Sequence, residues 1–207
     1  MTTTSAASAG PSPIESPVFE VIRPLLSRTA SDQRPVVLMT CGIAGAGKST
    51  LAKTVTARLS NFVRFSADQI VHDKHGLYGI DYARDKYAGY LEDAQTQIKT
   101  ALAALIKSGG ARDAVLDLSF YSKEYRDEYK AIVEDVGGRW VLVFLDTEKE
   151  LLWRRIQGRR AARDSIPVES GARDGDSAYD IERETFEMYW KGFEPPMGEG
   201  EIRVQVS

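Results

Sequence analysis

The stretch Gly42-Ile43-Ala44-Gly45-Ala46-Gly47-Lys48-Ser49, followed by Thr50, constrains this chain more than any other. It fits G-x-x-x-x-G-K-[ST], the Walker A phosphate loop. Before it runs Pro35-Val36-Val37-Leu38-Met39-Thr40-Cys41, apolar and β-branched, which reads as a buried strand. After it, Leu51, Val55 and Leu59 fall at i, i+4 and i+8, the core stripe of a helix. Strand, glycine loop and helix in that order are the context that makes the pattern structural. Successive loop amides form a concave anion nest, and the helix N-terminus adds free N–H groups and its positive dipole end. Gly42, Gly45 and Gly47 allow close backbone approach. Lys48 places a point charge on the β- and γ-phosphates, and the Ser49 hydroxyl is placed to ligate Mg²⁺.

The rest of the chain supplies alternating strands and helices. Residues 62–65, 114–118 and 140–145 read as further strands, and Ile202-Arg203-Val204-Gln205-Val206 as a closing one. A long helix is expected over 81–107, with Tyr87, Leu91, Ala94, Ile98, Ala101, Leu102 and Leu105 at helical spacing. Ser122 can cap the next helix, which Gly137-Gly138 ends. Thr147 and Glu150 are spaced as a capping box for a helix through about Arg160. The segment 163–177 is polar and reads as a mobile loop, and a last helix is expected over 178–191. This alternation predicts an α/β fold, a three-layer α/β/α arrangement on a mostly parallel five-stranded sheet with an arginine-bearing lid.

The expected organisation is a disordered tail over 1–15, a short helical extension over 16–34 and a phosphate-loop domain over 35–207, with its lid at about 159–177. The tail is Thr, Ser, Ala, Gly and Pro, too poor in large apolar groups to offset its ordering entropy. In the extension, Val18, Val21, Ile22, Leu25 and Leu26 give an apolar face. That face either packs on the domain or serves a partner, and packing is favoured.

A net charge of −3 over 207 residues argues against a global field for nucleic acid. One cysteine excludes an intrachain disulfide and a cysteine metal cluster. No apolar run reaches membrane-spanning length, and no secretory signal is apparent, so a reducing, cytoplasmic location is expected. Neither the N-K-x-D segment of guanine readers nor the L-S-G-G-Q signature of transport ATPases occurs.

The chain instead carries Arg154, Arg155, Arg159, Arg160 and Arg163 after the fourth strand, where compact kinases place a lid over ATP. Arg159 is the first choice for the transferring phosphoryl group, followed by Arg155 and Arg163. The bland alternative is a solvated helix face pairing with Glu148 and Glu150. Asp68, just past the second strand, is the candidate general base for an acceptor hydroxyl, unless it simply caps the following short helix. Asp117, at the end of the third strand, has several readings: ordering Mg²⁺ through water, hydrogen-bonding the acceptor, or capping a turn. Arg126 is a candidate for holding an anionic acceptor, or else a surface arginine near Glu124 and Asp127. Tyr78, Tyr82, Tyr87 and Tyr90 line an acceptor cleft or, at this spacing, more often a core. His72 and His75 lack the spacing of a metal site.

Taken together, residues 42–50, Ser66-Ala67-Asp68, Val115-Leu116-Asp117 with Arg126, Arg155-x-x-x-Arg159 and Phe193-Glu194-Pro195-Pro196 resemble the AAA domain 33 family of phosphate-loop kinases. Its relatives include polynucleotide kinases, chloramphenicol phosphotransferase, gluconate kinase and zeta toxins. The resemblance implies ATP and Mg²⁺, a base at Asp68 and lid arginines at Arg155 and Arg159. It also puts the Phe193 segment near the adenine. Polynucleotide kinases typically carry an arginine three residues after the base, where this chain has Val71. The expected activity is therefore ATP-dependent phosphorylation of a small hydroxylated molecule. A polynucleotide 5′-kinase, or a nucleotide-binding switch acting on a protein partner, stands as the alternative.

Overall fold

A computed structural model of the chain describes residues 17–170, 173 and 180–206. The expected tail over 1–15, and most of the expected lid beyond 170, lie outside the described residues. Five strands form one sheet: β1 (Val36–Cys41), β2 (Phe62–Ser66), β3 (Asp113–Asp117), β4 (Arg139–Thr147) and β5 (Ile202–Val206). Their spatial order is β2-β3-β1-β4-β5, and every pairing is parallel. Helices cover both faces, so β1 is buried at all six positions. This is why it reads as a continuous apolar run.

Alternate β1 side chains serve different layers. Val36 and Leu38 pack with α1 (Pro17–Ile22), α2 (Lys48–Arg58), α6 (Lys149–Asp164) and α7 (Arg183–Gly192). Val37, Met39 and Cys41 pack with α3 (Ala67–His75), α4 (Tyr87–Lys107) and α5 (Lys123–Asp135). The chain leaving β1 therefore goes to one face, while the chain leaving the adjacent β3 goes to the other. The crevice where neighbouring connections part is the site that open α/β sheets use for ligands.

Several local expectations change. The long helix begins at Tyr87, not at residue 81, because the Asp81 carboxylate accepts from the Leu77 backbone N–H (2.7 Å) and closes a turn. Its buried stripe ends on Ile106, with Ala101 turned to solvent. The Thr147/Glu150 capping box does not form: β4 runs through Thr147, and Glu148 takes the cap position without a side-chain bond. Helix α6 continues to Asp164, so Arg163 belongs to a helix instead of a loop. The last helix starts at Arg183, and residues 178 and 179 lie outside the described residues.

The extension packs on its own domain. Phe19, Ile22 and Leu26 are almost fully enclosed in the layer that holds α2, whereas Val21 and Leu25 face solvent. Arg139 ties the end of this segment down by donating to the carbonyls of Leu25 and Ser27 at 3.0 and 2.9 Å.

Candidate active site

The loop between β1 and α2 has the backbone that its glycines predict. Gly47 caps α2 at φ 101°, and Gly45 sits at φ 89°. A Cβ on Gly45 would lie 2.8 Å from the Leu152 carbonyl oxygen, so only glycine lets the loop touch α6. Lys48 opens α2, and its Nζ donates to the Ile43 carbonyl at 3.1 Å, arching over the loop. Burial holds the Lys48 ammonium below its ordinary pKa; Asp117 opposes the shift and Arg159 reinforces it. An ammonium that has lost water in this way gains when a polyphosphate arrives.

Asp117 ends β3 beside the start of α2. Its Oδ1 accepts from Ser49 Oγ at 3.3 Å, and its Oδ2 accepts from Arg64 Nε at 3.0 Å. These two hard oxygens, on a carboxylate and a hydroxyl, lie at the mouth of the anion nest. They suit Mg²⁺, which takes one or two protein oxygens and completes its shell with phosphate oxygens and water. Among the described residues no group of three or more His, Cys, Asp or Glu could hold a metal by itself. An ion at Ser49 and Asp117 would therefore share its ligands with the nucleotide.

Asp68 lies in the first turn of α3. The capping role expected for it falls to Ser66, whose Oγ accepts from the Gln69 N–H at 3.4 Å. Asp68 Oδ1 accepts instead from the Tyr87 hydroxyl at 2.6 Å. Burial first, and then the Asp68 charge, push the Tyr87 phenol well above its ordinary pKa, so it stays a donor.

One cleft of 980 Å³ collects these parts. It is lined by loop residues Gly42, Ile43, Ala44, Gly45, Ala46, Gly47, Lys48, Ser49 and Thr50, and by Asp68, Tyr87 and Asp117. Arg155 and Arg159, one turn apart on α6, line it as well. Phe193 also reaches it, with its ring 5.7 Å from that of Phe144. A smaller neighbouring cavity of 240 Å³ lies among Ile43, Phe144, Thr147, Trp190, Phe193 and Pro195.

Two expected site residues are elsewhere. Arg126 is 1% exposed and does not line the cleft. Its Nε donates to Glu199 at 2.9 Å, and NH1 donates to the carbonyls of Phe120 (3.0 Å) and Glu194 (2.8 Å). The Gly198-Glu199-Gly200 turn folds Glu199 over α5, and Lys130 joins the cluster at 3.1 Å. Arg126 thus holds the turn after β3, where Phe120 adopts the left-handed conformation at φ 47°. Arg163 also stays outside the cleft lining, paired with Asp164 at 2.8 Å and Asp180 at 2.7 Å. It lies one turn beyond Arg159 on the same stripe of α6, past the end of the cleft lining.

Some residues in or beside the cleft carry no sequence motif. Arg64 is legible only as a charge lodged between Val63 and Phe65 in an apolar strand; its partner Asp117 appears once β2 pairs with β3. Tyr189 and Met188 of α7, and Pro17 and Val18 of α1, reach the cleft through tertiary packing. Of the four tyrosines near α4, only Tyr87 lines the cleft; Tyr82 and Tyr90 pack behind it, with His75 stacked on Tyr90 at 3.6 Å.

A parallel sheet in this order, with a phosphate loop after β1 and arginines on the helix after β4, defines a phosphate-loop fold of the kinase type. Among the solved structures that share it are these three. A candidate kinase from Chloroflexus aurantiacus aligns with 84% of this chain and 89% of its own at 17% identity and a TM-score of 0.58. A chain of the Pnkp1/Rnl/Hen1 RNA repair complex aligns with 79% of this chain at 18% identity and a TM-score of 0.59, although the match spans only 46% of that chain. The protein APE1195 aligns at 16% identity, covering 83% and 85% of the two chains, with a TM-score of 0.52. The model of the family described as AAA domain, AAA_33, matches residues 37–196, and the chain belongs to that family. No curated protein matches it.

Proposed function

We propose that this protein is an ATP-dependent kinase that transfers the γ-phosphoryl group to the hydroxyl of a small molecule, with residues 35–207 as the catalytic domain. The observation that carries the reading is the Asp68 carboxylate, which shares one cleft with the Lys48 loop and with Arg155 and Arg159. The loop amides and Lys48 hold the triphosphate, and the adenine fits toward Phe193 and the adjoining cavity. The acceptor oxygen attacks the γ-phosphorus as the bond to the β,γ-bridging oxygen breaks and ADP departs. Asp68 takes the acceptor proton and passes it to solvent, while the Tyr87 hydroxyl keeps the carboxylate in place. Lys48, Arg155 and Arg159 offset the charge that spreads over the phosphoryl oxygens. Ser49 and Asp117 would hold Mg²⁺, which supplies further charge neutralisation on the phosphates when bound.

The protein-partner alternative keeps only part of its docking face: Phe19, Ile22 and Leu26 are enclosed by the chain's own core, which leaves Val21 and Leu25 exposed. The polynucleotide alternative draws on the fold likeness to the RNA repair chain, but Val71, where such kinases place an arginine, is buried. Among the described residues no helix is long and apolar enough to cross a membrane. With a single, buried cysteine, this is compatible with the cytoplasmic setting we propose.

The test is Asp68→Asn. The amide oxygen still accepts from Tyr87, but the general base is gone. Transfer should fall by about 10²–10⁴-fold, the usual worth of a positioned base, with Mg-ATP affinity unchanged. Full transfer by the variant would remove Asp68 from the mechanism.

A further inference from the structure

The cleft that holds Asp68 is lined by several aromatic rings and, among the described residues, by few cations. Tyr87, Leu91 and Gln95 follow one another along one face of α4 at i, i+4 and i+8, and all three line the cleft. Tyr121, from the turn after β3, and Met188 and Tyr189 of α7 line the same cleft. These last three are large apolar side chains left 55%, 60% and 38% exposed around one opening, a grouping that marks a binding surface. Tyr87 is held rigid by its bond to Asp68 and by the edge of Tyr78, whose ring lies 5.4 Å away.

Among the described lining residues the cations are Lys48, Arg155 and Arg159. Phosphoryl transfer assigns all three to the triphosphate. Arg126, the residue placed to receive an anionic acceptor on sequence grounds, is sealed against Glu199, and Arg64 is engaged by Asp117. An anionic acceptor would meet the carboxylates of Asp68 and Asp117 with no further cation among the described lining residues, which is a built-in penalty against such substrates.

We propose that the acceptor is an uncharged alcohol bearing an aromatic ring, and not a sugar phosphate, a nucleotide or a polynucleotide end. This rests on the kinase reading above. The ring stacks among Tyr87, Tyr121, Met188 and Tyr189, and its hydroxyl reaches Asp68. In the step itself the hydroxyl oxygen forms the new O–P bond, the β,γ-bridge bond breaks, ADP leaves, and the hydroxyl proton passes through Asp68 to solvent.

The experiment presents Mg-ATP and the full chain with four acceptor panels, and phosphorylated products are read by mass. The panels are uncharged aryl alcohols including nucleosides, the 3′-monophosphates of the same nucleosides, ring-free polyols, and a 5′-hydroxyl oligonucleotide. The expected result is preferred phosphorylation of the first panel. Its KM should stay constant from about 50 mM to about 500 mM salt, since no charge pairing is involved. Tyr189→Ala and Tyr121→Ala, both at exposed positions, should each raise KM for the aryl acceptor about threefold to tenfold with Mg-ATP affinity unchanged. Preferred use of the monophosphates, polyols or oligonucleotide would overturn the proposal and leave the kinase reading standing. Mg-ATP binding without transfer to any panel would overturn both.

Discussion

Replacing Glu199 with Gln tests whether Arg126 serves the fold or the substrate. The two side chains are 1% and 7% exposed, so the pair is effectively out of water. Arg126 first, with burial opposing and Lys130 helping, holds the Glu199 carboxyl down to about 2 from an ordinary 4.5. A carboxyl depressed on folding contributes stability that is complete above its unfolded pKa and is lost as pH falls through the folded one. At 1.36 kcal/mol per pKa unit, the contribution at pH 7 is about 3 kcal/mol, within the range of about 3–5 kcal/mol for breaking a buried ion pair. By pH 3, within the window between 4.5 and about 2, it should shrink to roughly 1 kcal/mol. Urea unfolding of wild type and Glu199→Gln at both pH values measures this, and a thermal melt at pH 7 should drop by about 6–12 °C. A loss under about 0.5 kcal/mol at pH 7 would refute the reasoning, since that is the size of an ordinary surface change. So would a deficit independent of pH. If Arg126 were an acceptor ligand, the variant would keep its stability and bind anionic acceptors better.

Two further substitutions probe the frame around the site. Gly45→Ala forces a Cβ to within 2.8 Å of the Leu152 carbonyl oxygen at φ 89°. It should lower the melting temperature and weaken Mg-ATP binding about tenfold by pushing α6 and its arginines away, a conformational cost of about 1–2 kcal/mol; calorimetry showing wild-type affinity would count against the loop–helix contact. Ile22→Ala empties a fully enclosed position and should cost about 2–5 kcal/mol in urea unfolding. A negligible loss would mean that the N-terminal extension is detachable.

The sheet and the phosphate loop were legible because each is a local pattern. The apolar runs of β1 and β4 announce strands buried on both faces, and the glycine spacing announces the anion nest. Boundaries failed where a side chain outbid periodicity: Asp81 closes a turn that delays α4, and Thr147 stays in β4 because β5 pairs with it at Val206. Charge was the least legible property. Arg163 continues the helical stripe of Arg155 and Arg159, Arg126 lies one turn into its own helix, and nothing local marks either as structural. What separates them is the tertiary position of Glu199, 73 residues from Arg126, and of Asp180 beside Arg163. The aromatic side of the cleft was half legible: Tyr87 stood among four candidate tyrosines, while Met188 and Tyr189 reach it from a helix that sequence placed but could not orient.

The account depends on the loop at Gly42 to Thr50 holding a nucleotide triphosphate, and isothermal calorimetry with Mg-ATP addresses that most directly. Wild type should bind one equivalent, and Lys48→Ala should bind about tenfold to a hundredfold more weakly, the worth of about 1.5–3 kcal/mol for a hydrogen bond to a charged group. Absence of heat and of any melting shift with wild type, or equal affinity in the variant, would contradict it.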